Sequence, residues 1–266
     1  MAGNTKQLRL RIKSVTSTLQ LTKAMGLVAS SKVRRANIAM FKAREYREAL
    51  LKSVTVLTAD NESQKSPYLR NNNTGITKLI VIAGDRGMAG GYNANVFRLA
   101  STFEGAEIIA IGKRACDRYG KEFLSSEKFT FADADKISSQ LCEEFCNGKF
   151  DRLGIIYTKY VSAMSVEADV EWILPLTKSD SDATGVIFEP DRLTVLNNAV
   201  KEYVSGMLTS LIRESFACEV TARRMAMDSA GKNAKQMIDD LHLEYNRARQ
   251  GAITQEITEI VAGSGE

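Results

Sequence analysis

IKSVTSTLQLTKAMGLVASSKVRRANIAMFKAREYREALLKSVTVL, residues 12–57, carries the period that decides the fold. Counting alternately three and four residues from Ile12 lands on Val15, Leu19, Thr22, Gly26, Ala29, Val33, Ala36, Met40, Ala43, Arg47, Leu50, Val54 and Leu57. Only Thr22, Gly26 and Arg47 break the apolar run. A three-four repeat sustained over about six heptads is the seam of a coiled coil, not the stripe of a short amphipathic helix. Its small residues let a partner helix come close. A helix over residues 5–58 spans roughly 80 Å, more than a compact domain of this size needs.

The three prolines are Pro67, Pro175 and Pro190, so both ends of the chain are free to run as uninterrupted helix. A second stripe follows Pro190: Leu193, Leu196, Val200, Tyr203, Met207, Leu211, Cys218, Ala222 and Met225. It resumes as Ala230, Ala234, Ile238, Leu241, Tyr245, Ala248, Ala252 and Ile260, with the phase drifting near residues 229–233. Helix over residues 192–262 is roughly 105 Å long and needs a partner for its apolar side. The first stripe is the natural partner, and segments from opposite ends of one chain pair antiparallel.

Between them, DNESQKSPYLRNNNTG (60–75) reads as a polar linker. Strands are expected at Leu79–Ala83, Glu107–Ile111, Leu153–Tyr157, Val166–Trp172 and Val186–Phe188, with helices at Asn93–Phe103, Lys113–Leu124 and Asp135–Cys146. Strand–helix–strand alternation predicts a small α/β domain with a largely parallel sheet. The later strands lie too close together for intervening helices and predict an antiparallel edge. The division is therefore a helix over 1–60, an α/β domain over 61–190, and a second helix over 191–266 that pairs with the first.

Composition narrows the chemistry. His242 is the only histidine, so a hydrolytic triad or a histidine-rich metal site would have to be built around one residue. Cys142 and Cys146 are four apart with no second cluster, and Cys116 and Cys218 stand alone; reduced thiols, without zinc, are the expectation. No apolar run approaches a membrane span, and no apolar segment follows the basic N-terminus to make a secretory signal. Residues 1–52 hold twelve Lys and Arg against two Glu, a net of +10, which leaves −6 for the rest of a chain whose total is +4. That asymmetry calls for an acidic partner: nucleic acid, anionic lipid or an acidic protein surface.

GDRGMAGGYN (84–93) follows the first strand, where an α/β protein binds phosphate. Its glycines at 84, 87, 90 and 91 do not give the dinucleotide fingerprint, and no Lys-Ser/Thr follows to make a P-loop. A structural turn is the favoured reading, with Asp85 and Arg86 as a local ion pair or partner contact; a nucleotide-binding α/β enzyme is one alternative. Asp133 with Asp135, and Glu143 with Glu144, read as solvated charge, as does His242 beside Asp239 and Asp240. A basic coiled coil on nucleic acid is the other alternative, although the N-terminal Lys and Arg are spread around the helix without interleaved aromatics.

TKAMGLVASSKVRRA (22–36), GDRGMAGGYNANV (84–96) and LEYNRARQGAITQEITEIVAGSGE (243–266) resemble, in order and across essentially the whole chain, the signature blocks of the gamma subunit of F-type ATP synthases. The resemblance implies antiparallel N- and C-terminal helices coiled together, a Rossmann-like central domain, and a non-catalytic rotor shaft. That shaft turns in a hexamer of alternating alpha and beta subunits, above a ring of c subunits and beside an epsilon subunit, with no cofactor and no nucleic acid. It further implies contacts with the beta subunit through Arg249, Gln250, Thr254 and Glu256, through Lys23 and Met25 on the facing helix, and through Arg34 and Arg35 toward acidic beta loops. Ile257, Ile260 and Val261 become a greasy bearing.

Departures from the family pattern are Gly26, where a charged residue usually follows K-A-M, and TARRMAMD (221–228), which leaves Arg224 without an assigned role. No inserted segment with a close cysteine pair is present, so thiol control is not expected. The similarity begins within about six residues of Met1, which implies no removable transit peptide. The expected location is the cytoplasmic face of a bacterial inner membrane, held there through the complex.

Overall fold

The computed structural model describes residues 2–59, 62–162, 165–179 and 188–263. Their order is α1 (Ala2–Leu57), β1 (Thr77–Ile82), α2 (Tyr92–Ala100), β2 (Glu107–Ile111), α3 (Lys113–Tyr119), α4 (Phe131–Cys146), β3 (Arg152–Ser162), β4 (Ser165–Leu174) and α5 (Arg192–Gly263). Two compact units result. One combines Met1–Ser30 with Arg223–Glu266, and the other is Ser31–Ala222. Residues 31–57 and 192–222, drawn from the sequence as parts of two separate helical segments, thus belong with the sheet.

In the larger unit the sheet order is β2-β1-β3-β4, with β1 parallel to β2 and β3, and β4 antiparallel to β3. This is the mostly parallel sheet with an antiparallel edge that the spacing predicts. β1 is buried on both faces, as a parallel strand must be. Leu79 and Val81 pack with Val96 and Ala100 of α2 and Ala115 and Cys116 of α3. Ile80 and Ile82 join a larger core with Phe145 of α4, Val54 and Leu57 of α1, and Tyr203, Met207 and Leu211 of α5. Because α5 lies between the sheet and α1, residues 203–208 are buried all round the helix.

The seam of α1 holds at every position: each of the fourteen residues from Ile12 to Leu57 is buried or half-buried. Thr22, apparently a flaw, returns its hydroxyl to the Leu19 carbonyl at 3.0 Å and so is buried without an unpaired group. Pairing with α5 is antiparallel within each unit. In the smaller one Arg9 reaches Tyr245 at 3.0 Å, the Gly231 Cα faces Leu19 and Thr22, and Gly26 faces Met227. In the larger one Met40 packs with Ala217, Ser210 donates to the Ala43 carbonyl at 2.9 Å, and Gly206 faces Leu50 and Tyr46.

Several local expectations are corrected. Residues 62–69 are not a loose linker but two 3-10 turns, Glu62–Lys65 and Pro67–Leu69, that bury Tyr68 beside Phe145. Asn72 then ties down the Asn triplet by donating to the carbonyls of Phe145 and Phe150 at 2.9 and 2.8 Å. The helix expected to reach Leu124 stops at Gly120, whose left-handed φ of 61° ends it. Met225 is exposed, and Met227 takes the seam position opposite Gly26, so the phase slips earlier than the sequence suggested. Of the strand expected at Val186–Phe188, Val186 and Ile187 lie outside the described residues. α5 starts where Asp191, after Pro190, accepts from the Thr194 N–H and hydroxyl at 2.9 and 2.8 Å.

Candidate functional site: the turn after the first strand and the shaft surface

The turn from Gly84 to Gly91 is built to fill itself. The Gly84 N–H donates to Asn93 Oδ1 at 2.9 Å, and Tyr92, buried, places its hydroxyl 2.8 Å from Ser215 of α5. The Asp85 carboxylate finds partners other than Arg86, the ion-pair partner that the sequence offered beside a contact with another protein. The carboxylate accepts the backbone N–H groups of Lys113, Ser126 and Glu127 at 3.1, 3.0 and 3.1 Å, and the Ser125 hydroxyl as well. Arg86 instead approaches Glu127 at 3.7 Å.

Burial alone would raise the Asp85 carboxyl. The hydrogen bonds from Ser125 and from the Glu127, Ser126 and Lys113 N–H groups outweigh it and hold the group below the ordinary carboxylate range. A group with a depressed folded value adds stability above its unfolded value and loses it as pH falls through the folded one. Asp85→Asn, whose amide turns donors toward donors, is expected to lower stability near neutral pH. The loss is about 1–2 kcal/mol, allowing for the solvent that reaches this half-buried group. Thermal melts check this: the gap to the parent should narrow below about pH 4, and a gap constant down to about pH 3 would deny the carboxylate this role.

Phosphate is excluded from the turn by charge and by space. A bound phosphate needs open N–H groups and no fixed anion beside them. Here the Asp85 carboxylate, itself part of the turn, is held in place by the amides of Lys113, Ser126 and Glu127 and stands as that fixed anion. The buried Glu219 carboxylate lies so close over Gly84 that a Cβ there would sit 2.7 Å from its carboxyl carbon. The nucleotide-binding alternative loses its site.

Two of the remaining acids have structural employment. Asp133 caps α4, accepting from the Thr130 N–H and hydroxyl at 2.9 and 2.7 Å, which lowers its carboxyl. Glu144 holds Lys78 at 2.7 Å and is lowered chiefly by that bond. Glu143, Asp135, His242, Asp239 and Asp240 are exposed. Burial pushes the Cys142 and Cys218 thiols up to about 12, so both stay protonated and poor as metal ligands or nucleophiles.

Sequence reasoning missed the strongest electrostatic feature. Glu214 of α5 is 1% exposed. It accepts from Arg44 Nη2 at 2.8 Å, Arg47 Nη1 at 3.1 Å and the Tyr160 N–H of β3 at 3.0 Å. One carboxylate thus joins both long helices to the sheet. The signal was present: Arg47 sits on the apolar seam, and RES (213–215) interrupts a helix otherwise buried on all sides.

The residues singled out by resemblance fall into separate groups. Lys23 is exposed and Met25 half-buried on α1. Arg249, Gln250, Thr254 and Glu256 are exposed on α5, and the Thr254 hydroxyl donates to the Gln250 carbonyl at 3.0 Å. Lys23 and Met25 do not face them, because the register sets that part of α1 against Met227–Gly231, about 30 Å along α5 from Arg249. Arg34 and Arg35 are exposed and belong to the larger unit. Ile257, Ile260 and Val261 are 56%, 69% and 65% exposed, and every described side chain from Ile253 onward is exposed.

Among the described residues no helix is long and apolar enough to cross a membrane. Comparison with known proteins supplies the family. The model of a family described as ATP synthase matches residues 4–265. An ATP synthase gamma chain of Ruminococcus albus is 40% identical over 98% of both chains, and a sodium ion specific ATP synthase gamma chain of Acetobacterium woodii is 36% identical over 99% of both. In fold, the chain is similar to a chain in the OSCP/F1/c-ring structure of the Euglena gracilis mitochondrial ATP synthase, with a TM-score of 0.68 at 16% identity over 98% of this chain and 94% of that one. A chain of the rotor of the same enzyme gives 0.67 at 17% identity over 95% and 100%. With both helices, the sheet and nearly the full length matched, the chain belongs to the ATP synthase gamma chain family, the non-catalytic central-stalk rotor subunits of F-type ATP synthases.

Proposed function

We propose that the paired helices turn inside a hexamer of alternating alpha and beta subunits, while the α/β unit rides on a ring of c subunits and carries an epsilon subunit. Ion flow through the membrane part then drives the beta subunits in turn through open and closed states. The chain is a peripheral member of the membrane complex, on the cytoplasmic face of a bacterial inner membrane. Its functional division is a helix over 1–60, an α/β domain over 61–190 and a helix over 191–266, with residues 31–57 and 192–222 of the two helices packed on the sheet.

One observation carries this reading: α5 outruns its partner. Arg9, near the start of α1, meets Tyr245, and beyond it every described side chain of α5 from Ile253 onward is exposed. Ile253, Ile257, Ile260 and Val261 are nonetheless apolar and exposed. An apolar helix end is not stable alone in water, and a surrounding sleeve is the partner that covers all its sides at once. Apolar contacts have no directional bonds to break, so Ile257, Ile260 and Val261 suit a bearing. Arg249, Gln250, Thr254 and Glu256, just below, make contacts with beta that form in one rotational state and break in the next. Lys23 and Met25 serve further down the shaft, and Arg34 and Arg35 meet acidic loops of beta.

The test is reconstitution of an alpha/beta assembly with this chain and with Gln250→Leu. Rapid ATP turnover should require the chain. The variant should turn over about fivefold more slowly, the worth of one hydrogen bond, while assembling with unchanged affinity. Equal loss of turnover and assembly would deny Gln250 a rotational contact, and turnover indifferent to the chain would sink the rotor reading.

A further inference from the structure

We infer that Glu127, held by Asp85, is a positioning residue that braces α1 at Lys32 against sideways load and so sets how much rotation is delivered as coupled work; the inference rests on the rotor reading above. Glu127 is bonded on one side to Lys32 and lies 3.7 Å from Arg86 on the other. Its own backbone N–H is fixed by Asp85, which also holds Ser126 and the start of α3. The brace is therefore anchored in the sheet unit through the turn after β1, not left on a free loop.

Its position matters more than its strength. Lys32 lies one residue inside the larger unit, which begins on α1 at Ser31 and ends on α5 at Ala222. The same turn meets α5 through Gly84, packed against Glu219. Both helices are thus fastened to the same turn of the sheet unit. The Lys32 and Glu127 side chains are 29% and 30% exposed, so the pair is partly open to water and contributes little to overall stability. Removing it should leave the fold intact and soften the support, which separates its role from that of the buried Glu214.

The experiment uses the whole ATP synthase in lipid vesicles, carrying Glu127→Lys, Lys32→Glu or both. ATP hydrolysis is read alongside the membrane potential built per ATP, followed with a voltage-sensitive dye that responds to protons and sodium alike. Each single variant should keep its hydrolysis rate and melting temperature near the parent values and lose about twofold in potential per ATP, and the charge swap should restore it. An unchanged ratio in the single variants, or a double variant no better than they are, overturns the brace. A parent complex that hydrolyses ATP and builds the same potential without this chain would overturn the rotor reading itself, and the brace with it.

Discussion

Glu214→Ala is expected to destabilise the unit Ser31–Ala222 by about 3–5 kcal/mol, a fall in Tm on the order of 10 °C. The substitution removes the one acceptor shared by Arg44, Arg47 and the Tyr160 N–H. Arg47, whose side chain is only 15% exposed, loses its hydrogen-bonded partner and keeps only the charge of the half-buried Glu171 to offset it. Arg44, at 29%, can turn partly to water, which keeps the expected loss within that range. Replacing all three charges, with Arg44→Met, Arg47→Met and Glu214→Leu, should recover much of the stability, because a buried ion triad is often no better than a well-packed apolar substitute. The Tyr160 N–H would still lack a partner, so recovery stays incomplete. Thermal melts of the four proteins decide it; a loss below about 1 kcal/mol for Glu214→Ala would mean that solvent reaches the site.

Gly112→Ala should cost more than about 3 kcal/mol, for a reason visible only in the backbone. Gly112 has φ 92° and ψ 139°, a region that side-chain-bearing residues scarcely enter. An added Cβ would lie 1.9 Å from the Ala83 carbonyl oxygen, so the ends of β1 and β2 would have to part. Ala83 and Ile111 are hydrogen bonded there at 2.9 Å, and Gly112 itself donates to Leu124 at 2.7 Å, so nothing can move alone. Gly120 supplies the control. Its φ of 61° is left-handed but its surroundings are open, so Gly120→Ala should cost about 1 kcal/mol. Urea unfolding of both variants measures the difference, and equal losses would show that backbone conformation alone, without the clash, governs both sites.

The sequence by itself determined the long helices, their seam and their antiparallel pairing, together with the order and class of the strands. Those properties follow from spacing within a segment, since side chains three and four apart share a face whatever lies across from them. What the tertiary structure decided is which residues meet. Arg47 looked like an interruption of the seam until Glu214, 167 positions away, was brought to it. Asp85 looked like the partner of Arg86, but loop closure set it among three backbone amides, which carry no side-chain signature. Met227, not Met225, stands opposite Gly26 in the seam, a register that the period of one helix does not specify. Lys23 and Arg249 were separated for the same reason: periodicity says which face of a helix is buried, whereas the packing of that face against one particular partner fixes what stands opposite.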